Sequence, residues 1–224
     1  INDRKPITAM TIIRQEDLIS SVADALQYIS YYHPVDFIQA VKQAYDREES
    51  KAAKDAMAQI LVNSRMCAMG HRPICQDTGI VTVFVRVGMD VQWQGDMSLT
   101  DMINEGVRRA YTHPDNVLRA SILSDPDVER KNTGDNTPAV IHYDIVPGNS
   151  VAIDVAAKGG GSEAKSKFAM LNPSDSVVDW VLQMVPTMGA GWCPPGMLGI
   201  GIGGTAEKAM LMAKESLLEH IDIA

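Results

Sequence analysis

The chain has 224 residues, of which 46% are hydrophobic and 21% are charged. That balance is typical of a globular protein with enough apolar side chains for a buried core. Twenty Lys and Arg residues against 28 Asp and Glu residues give a net charge of −8. This acidity argues against a nucleic-acid or anionic-membrane surface, because neutralising phosphates requires basic clusters.

Three cysteines, Cys67, Cys75 and Cys193, are too few and too scattered for a disulfide framework. The absence of a CxxC pair argues against a structural zinc site. No run approaches the roughly 18 apolar residues of a membrane span, and no basic, apolar and cleavable leader opens the sequence. We therefore expect a cytoplasmic protein that neither inserts into membranes nor binds nucleic acid.

The two ends of the sequence predict a piece of a longer protein. Residues 1–9 are interpreted as an expression remnant or a tail, because Met10 makes a natural start. At the other end, a strand-like pattern after Leu218 stops without a partner. Residues 10–224 are accordingly expected to form one domain of a larger protein.

The first third of the chain has helical periodicity. Leu18, Val22 and Leu26 recur at the four-residue spacing of one amphipathic face. Pro34 fits the first position of a second helix, and residues 52–67 predict a third.

The remainder alternates between strand and helix patterns. Ser98 to Asp101 resemble a capping box that opens a helix to about Tyr111, and residues 125–138 predict a polar loop. The other elements predicted here are strands at 80–87, 139–146, 151–157 and 198–202, and helices at 175–185 and from Ala206. N-terminal helices followed by a mixed β-sheet region with flanking helices predict an α+β fold.

Three glycine-rich turns carry polar or thiol side chains: Pro73–Gly79, Gly159–Gly161 and Gly189–Gly196. Ser162 is a candidate N-cap directly after the second turn. Glycine lets backbone N–H groups approach an anion or a cluster sulfur closely. Because loops on a rigid scaffold commonly carry catalytic groups, we expect the chemistry to concentrate in these turns.

The three turns together resemble one known family. Cys-Gln-Asp-Thr-Gly at 75–79, Lys-Gly-Gly-Gly-Ser at 158–162 and Cys-Pro-Pro at 193–195 occur in this order in class I fumarate hydratases. These are iron–sulfur hydro-lyases, a group that also includes tartrate dehydratases. The resemblance runs from about Ile12 onward and implies a [4Fe–4S] cluster held by three cysteines, with one iron open to substrate.

The resemblance also implies how the cluster is held. Cys75 and Cys193 match two of its ligands, whereas the third cysteine corresponds to a position beyond Ala224. Residues 10–224 would then be the N-terminal catalytic, cluster-binding domain. A C-terminal domain or a second subunit would complete the enzyme, which is expected to be a homo-oligomer.

Substrate-contacting roles follow from the same resemblance. Gln76 and Asp77 match substrate contacts, and Asp77 also matches a proton-transfer residue. Arg119 matches an arginine that grips a substrate carboxylate, and Gly161 matches a backbone contact to substrate. A dianionic substrate in an acidic protein requires a local basic site, which Arg119 supplies through a bidentate fork. Lys158 is a second candidate cation.

The implied reaction is the reversible hydration of fumarate to malate. An open iron acts as a Lewis acid on a hydroxyl group, and a carboxylate such as Asp77 can take or return a proton. A tartrate dehydratase is the nearest enzymatic alternative. A second alternative is an inactive, cofactor-free domain that works only with the missing part.

Two other interpretations carry less weight. Gly199–Gly204 satisfies G-x-G-x-x-G, and Asp222 lies near the distance at which a dinucleotide-binding domain has its acidic residue. Tight packing of a helix on a strand explains these glycines as well. Cys67 is a candidate for the vacant ligand position, but its place at the end of a helix predicts a buried helix thiol instead.

Overall fold

The computed structural model describes residues 11–192 and 195–221. Its helices are α1 (Gln15–Tyr31), α2 (Val35–Arg47), α3 (Lys51–Gly70), α4 (Leu99–Tyr111), α5 (Gly160–Glu163), α6 (Val177–Met184) and α7 (Ala206–Glu215). Its strands are β1 (Thr11–Arg14), β2 (Ile80–Gly88), β3 (Val91–Gln94), β4 (Val140–Val146) and β5 (Val151–Lys158). Helices precede and flank a mixed set of strands, so the predicted α+β class is confirmed.

The chain divides into two compact units, each built from two separate stretches of sequence. Of the described residues, the first unit combines 11–30 with Ile80–Ala157, and the second combines Tyr31–Gly79 with 158–192 and 195–221. Sequence patterning did not predict this division, because each unit is created by contacts between stretches that are far apart in the sequence.

The sheets belong to the first unit. β4, β2 and β5 form a three-stranded sheet with β2 in the centre. β2 and β4 run parallel, with Thr82 opposite Val140 and Gly88 opposite Val146. A second, two-stranded sheet pairs β1 with β3 in parallel, although these strands are far apart in the sequence.

The core of the first unit forms where α1 and α4 supply apolar side chains to the central strand. Val81 and Val83 of β2 are fully buried, as are Ile103 and Val107 of α4. Ser98 caps α4 by accepting the Asp101 N–H, which confirms that the helix begins at Ser98 as predicted. A nearly continuous apolar run in β2 is the pattern expected of a central strand.

In the second unit, α2 and α3 have smaller buried faces. Val41 of α2 and Met57, Ser64 and Cys67 of α3 are buried. Ser50 caps the start of α3 by accepting the Ala53 N–H. The predicted second and third helices are therefore confirmed.

Two local predictions are wrong. Residues 198–202 form no strand, because Gly199 and Gly201 lie against the backbone of α7 rather than beside another strand. A Cβ added at Gly201 would lie only 1.9 Å from the Ala209 carbonyl oxygen. The predicted N-cap Ser162 lies inside α5, whose N-cap is Gly159.

Candidate functional site

The loop that carries Cys75 is held at its start by α3. Asn63 donates from Nδ2 to the Ile74 carbonyl oxygen at 2.9 Å. One turn further along α3, the buried Cys67 Sγ lies 3.6 Å from the Asn63 Oδ1 and 3.6 Å from the Pro73 carbonyl oxygen. Cys67 is therefore a buried helix thiol, as expected, and the Asn63 amide holds the chain just before Cys75.

Cys75, Gln76 and Asp77 form a tight turn. The Asp77 N–H donates to the Cys75 Sγ at 3.4 Å, and the Cys75 thiol donates to the Gln76 Oε1 at the same distance. The Cys75 and Gln76 side chains are exposed, whereas Asp77 is half-buried. A thiol and an amide thus face solvent beside a carboxylate with fixed backbone partners.

The Asp77 carboxylate joins the first glycine-rich turn to the second. Its Oδ1 accepts the Gly79 N–H at 3.2 Å, and its Oδ2 accepts the Gly160 N–H at 2.9 Å. A Cβ added at Gly159 would lie 3.1 Å from the same Oδ2, closer than side chains ordinarily approach. Glycine at 159 thus lets the carboxylate reach the turn.

The second glycine-rich turn also meets the third. A Cβ added at Gly161 would lie 2.9 Å from the Gly191 carbonyl oxygen, and one added at Gly191 would lie 3.2 Å from the Lys165 Cε. The structure therefore brings the three turns together through direct close contacts. Cys193 follows Gly191 by two positions, but it lies outside the described residues, so its cluster-binding role stays a prediction.

An ion-pair cluster flanks the second turn. The Lys214 Nζ donates to the Glu163 Oε1 at 2.6 Å, and the Lys158 Nζ lies 3.0 Å from the Glu163 Oε2. Burial raises the pKa of the Glu163 carboxyl, but hydrogen bonds from Lys214 and Lys158 outweigh burial and leave that pKa below its ordinary value.

The same cluster gives Lys158 a partner. Its ammonium group and that of Lys214 share the single carboxylate of Glu163, so the cluster keeps one net positive charge, and the role of Lys158 as a substrate-binding cation stays a prediction. Sequence reasoning missed both Glu163 and Lys214. The position of Glu163 two residues after the glycine run was an available signal, whereas Lys214, 51 residues away, gave none.

Arg119 belongs to the first unit, whereas Cys75, Gln76, Asp77 and Gly161 belong to the second. Its side chain is exposed, in the irregular segment between α4 and β4. The role of Arg119 in binding a substrate carboxylate therefore stays a prediction.

The described thiols differ in their fitness for a cluster. Cys75 is exposed and free, and its sulfur already accepts a backbone N–H, an interaction that tunes cluster sulfurs in iron–sulfur proteins. Cys67 is enclosed by its helix and loop. Within residues 11–192 and 195–221, no three His, Cys, Asp or Glu side chains are grouped as metal ligands. Cys75 thus has the exposure and the sulfur contact that suit one ligand position, and the cluster and its other ligands stay predictions.

The dinucleotide interpretation loses its structural context. Its fingerprint requires a glycine turn between a strand and a helix, but residues 195–202, which the structure describes, contain no strand that leads into Gly203 and Gly204. The glycines at 199 and 201 instead permit close approach to α7. No helix in the described part of the chain combines the length and apolar character needed to cross a bilayer.

Comparison with known proteins identifies the family. The family model for fumarate hydratase (Fumerase) matches residues 19–224. The chain therefore belongs to the fumarate hydratase family of hydro-lyases.

Individual relatives are named for a related activity. A Methanocaldococcus jannaschii protein that bears the name of an L(+)-tartrate dehydratase alpha subunit is 33% identical over 206 residues, which cover 89% of this chain and 72% of that protein. The L(+)-tartrate dehydratase alpha subunit of Escherichia coli strain K12 is 31% identical over 208 residues, which cover 91% of this chain and 68% of that protein.

Proposed function

We propose that this chain forms part of the active site of an iron–sulfur hydro-lyase that interconverts a four-carbon dicarboxylate and its hydrated form. The observation that carries the proposal is the Asp77 carboxylate. It is held by the Gly79 and Gly160 amides, two residues after the exposed Cys75 thiol. A proton-transfer group and a metal-ligating thiol are thus presented by one rigid turn.

Cys75 would provide one ligand of a [4Fe–4S] cluster and Cys193 a second, with the third cysteine outside this chain. When bound, such a cluster supplies a Lewis-acidic iron that makes a substrate hydroxyl a better leaving group. Asp77 takes the proton from the carbon next to the departing hydroxyl, and returns it in the hydration direction. Its two backbone hydrogen bonds fix the direction of the carboxylate.

The other residues of the proposal bind the substrate. The exposed Gln76 amide can donate to a substrate oxygen and accept from a hydroxyl. Arg119 binds one carboxylate through a bidentate fork, and Gly161 provides a backbone contact.

The complete enzyme requires more than this chain. The relatives' names identify them as alpha subunits, which supports a partner subunit that contributes the third cysteine. A C-terminal domain of the same polypeptide would serve equally, and the complete assembly is proposed to be a homo-oligomer of that unit. Free thiols at Cys67 and Cys75 favour a reducing, cytoplasmic setting.

Two substrates fit the chemistry. The first is malate, which loses water to give fumarate, and the family model supports it. The second is L(+)-tartrate, which loses water to give oxaloacetate after the enol product rearranges, and the relatives' names support it. Both carry a hydroxyl on the carbon next to one carboxylate, so the same residues serve either reaction.

The experiment that tests this function is turnover of fumarate, malate and tartrate by the complete enzyme, loaded anaerobically with iron and sulfide. Cys75→Ser should abolish the cluster absorption and lower turnover by on the order of a hundredfold or more. Cys67→Ser is the matched control, because the same atom changes in a buried helix position. It should retain the cluster and its turnover.

The ratio of kcat/KM values for malate and tartrate would name the substrate. A cluster that persists in Cys75→Ser would contradict the assignment of Cys75 as a ligand. Turnover of none of the three dicarboxylates by the cluster-loaded enzyme would contradict the proposed substrate class.

A further inference from the structure

Arg119 lies in the long connection between the end of α4 at Tyr111 and the start of β4 at Val140. An exposed arginine in such a segment would ordinarily sample many directions, which weakens bidentate binding of a carboxylate. The structure shows that the backbone around Arg119 is instead held on both sides by specific contacts.

On the N-terminal side, α1 holds the segment. The Gln27 Nε2 donates to the Asn116 carbonyl oxygen at 3.0 Å, and the Asn116 Nδ2 donates back to the Gln27 Oε1 at 2.8 Å. Leu118, directly before Arg119, is 4% exposed and packs in the hydrophobic core of the first unit.

On the C-terminal side, two asparagines hold the next two residues. The Ser121 N–H donates to the Asn136 Oδ1 at 2.7 Å. The Asn132 Nδ2 donates to the Ala120 carbonyl oxygen at 2.8 Å. The chain directly after Arg119 is therefore fixed through side chains.

A short antiparallel ladder brings these asparagines into place. Leu123 and Asn132 form an isolated bridge, and the Thr133 N–H donates to the Ile122 carbonyl oxygen at 2.9 Å. The segment thus folds back on itself immediately after Arg119.

Asn136 is unusual both in its burial and in its backbone conformation, and the two together indicate that its side chain has a specific role. It is fully buried, and its φ of 62° lies in the left-handed region. Glycine would satisfy that backbone conformation with less strain. A buried amide at this position is explained by the hydrogen bond that its Oδ1 accepts from Ser121.

We propose that Asn136, assisted by Asn132, is a positioning residue that orients Arg119 for one carboxylate of the substrate. The inference rests on the proposed function, because it takes the dicarboxylate as the ligand of Arg119. Asn136 itself contacts no substrate and acts through the backbone of the Arg119 segment.

The test uses three asparagine variants of the complete, cluster-loaded enzyme. Asn136→Gly keeps the left-handed backbone but loses the acceptor, so KM for the dicarboxylate should rise about tenfold while kcat changes less than about twofold. Asn136→Asp keeps an acceptor oxygen and should hold KM within about twofold of wild type. Asn172→Gly changes an exposed loop asparagine in the second unit and should leave KM unchanged.

A double-mutant cycle with Arg119→Lys separates this role from a general effect on folding. Because Asn136 is proposed to act through Arg119, adding Asn136→Gly to Arg119→Lys should raise KM by no more than about twofold further. Independent, multiplying effects would overturn the inference. If Asn136→Gly does not fold, Asn132→Ala is the second variant, because it removes the contact to Ala120. It should raise KM when Arg119 is present and should have little further effect on KM when combined with Arg119→Lys.

The failures of the two proposals are distinguishable. A raised KM in Arg119→Lys with an unchanged KM in Asn136→Gly and Asn132→Ala overturns the positioning role alone. An unchanged KM in Arg119→Lys removes Arg119 from the substrate site, and this inference falls with that assignment.

Discussion

The first unit and the candidate-site turns of the second unit are held by different forces. In the first unit, Val83 and Ile103 are fully buried within a sheet-and-helix core. Around the turns, Cys75 is exposed, and order comes from the hydrogen bonds of Asp77 and the ion pairs of Glu163. Apolar burial is strong and non-directional, whereas hydrogen bonds specify direction. Stability and site geometry should therefore respond to different substitutions.

The largest expected effect on stability lies in the core of the first unit. Ile103→Ala removes a fully buried side chain and should lower the free energy of unfolding by about 2–5 kcal/mol, measured by urea denaturation. KM for the dicarboxylate should not change at temperatures where the variant is folded. Ile145→Ala, at a position 77% exposed, is the control and should change stability by less than about 0.5 kcal/mol. Equal losses of unfolding free energy in Ile103→Ala and Ile145→Ala would contradict the burial of Ile103 in this core.

A smaller effect is expected at the ion-pair cluster of the second unit. Glu163→Gln leaves the half-buried ammonium groups of Lys158 and Lys214 without a counter-charge. The free energy of unfolding should fall by about 1–2 kcal/mol. Because Glu163 belongs to α5, the Gly160 amide that donates to Asp77 should also exchange its hydrogen faster.

Glu49→Gln is the matched control for that change, since it removes the same charge from an exposed site in the second unit. Glu49→Gln should leave unaltered both the free energy of unfolding and the hydrogen-exchange rate of the Gly160 amide. Unchanged exchange in Glu163→Gln would show that the ion pairs do not hold the glycine turn.

The smallest predicted effect depends on pH and concerns Glu105 of α4. A hydrogen bond from Arg108, assisted by Arg109, lowers the pKa of the Glu105 carboxyl to about 2, despite some burial that opposes the shift. A carboxyl group whose pKa is lowered by folding stabilises the folded state at pH values above its unfolded pKa near 4.5. This stabilisation is lost as the pH falls toward 2. Glu105→Gln should therefore cost about 1 kcal/mol at pH 7, because the arginines are partly exposed.

That cost should shrink steadily between pH 4.5 and pH 2. Urea unfolding at pH 7, 4 and 3 measures it, with the exposed Glu129→Gln as the control for the lost charge. A difference that grows as the pH falls would contradict the assigned direction of the pKa.

Local patterns predicted most helices but failed where contacts are distant. The capping box at Ser98 was identified from four consecutive residues, and β2 from its run of valines. The pairing of Thr11–Arg14 with Val91–Gln94 was not predicted, because a parallel pair of four-residue strands has no local signature. The alternating glycines and isoleucines at 198–202 imitated a strand, although those glycines pack against α7.

The sequence by itself determined the helices, the α+β class and the three motifs that identify a hydro-lyase family, because each depends on neighbouring residues. Only the tertiary structure decided that Asp77 meets Gly160, that Lys158 and Lys214 share Glu163, and that Asn136 holds the segment after Arg119. Asp77 and Gly160 are 83 residues apart in the sequence, and Asn136 is 15 residues from its hydrogen-bond partner Ser121. Hydrogen-bond geometry between such residues is set by the packing of the elements that carry them, which no local pattern encodes.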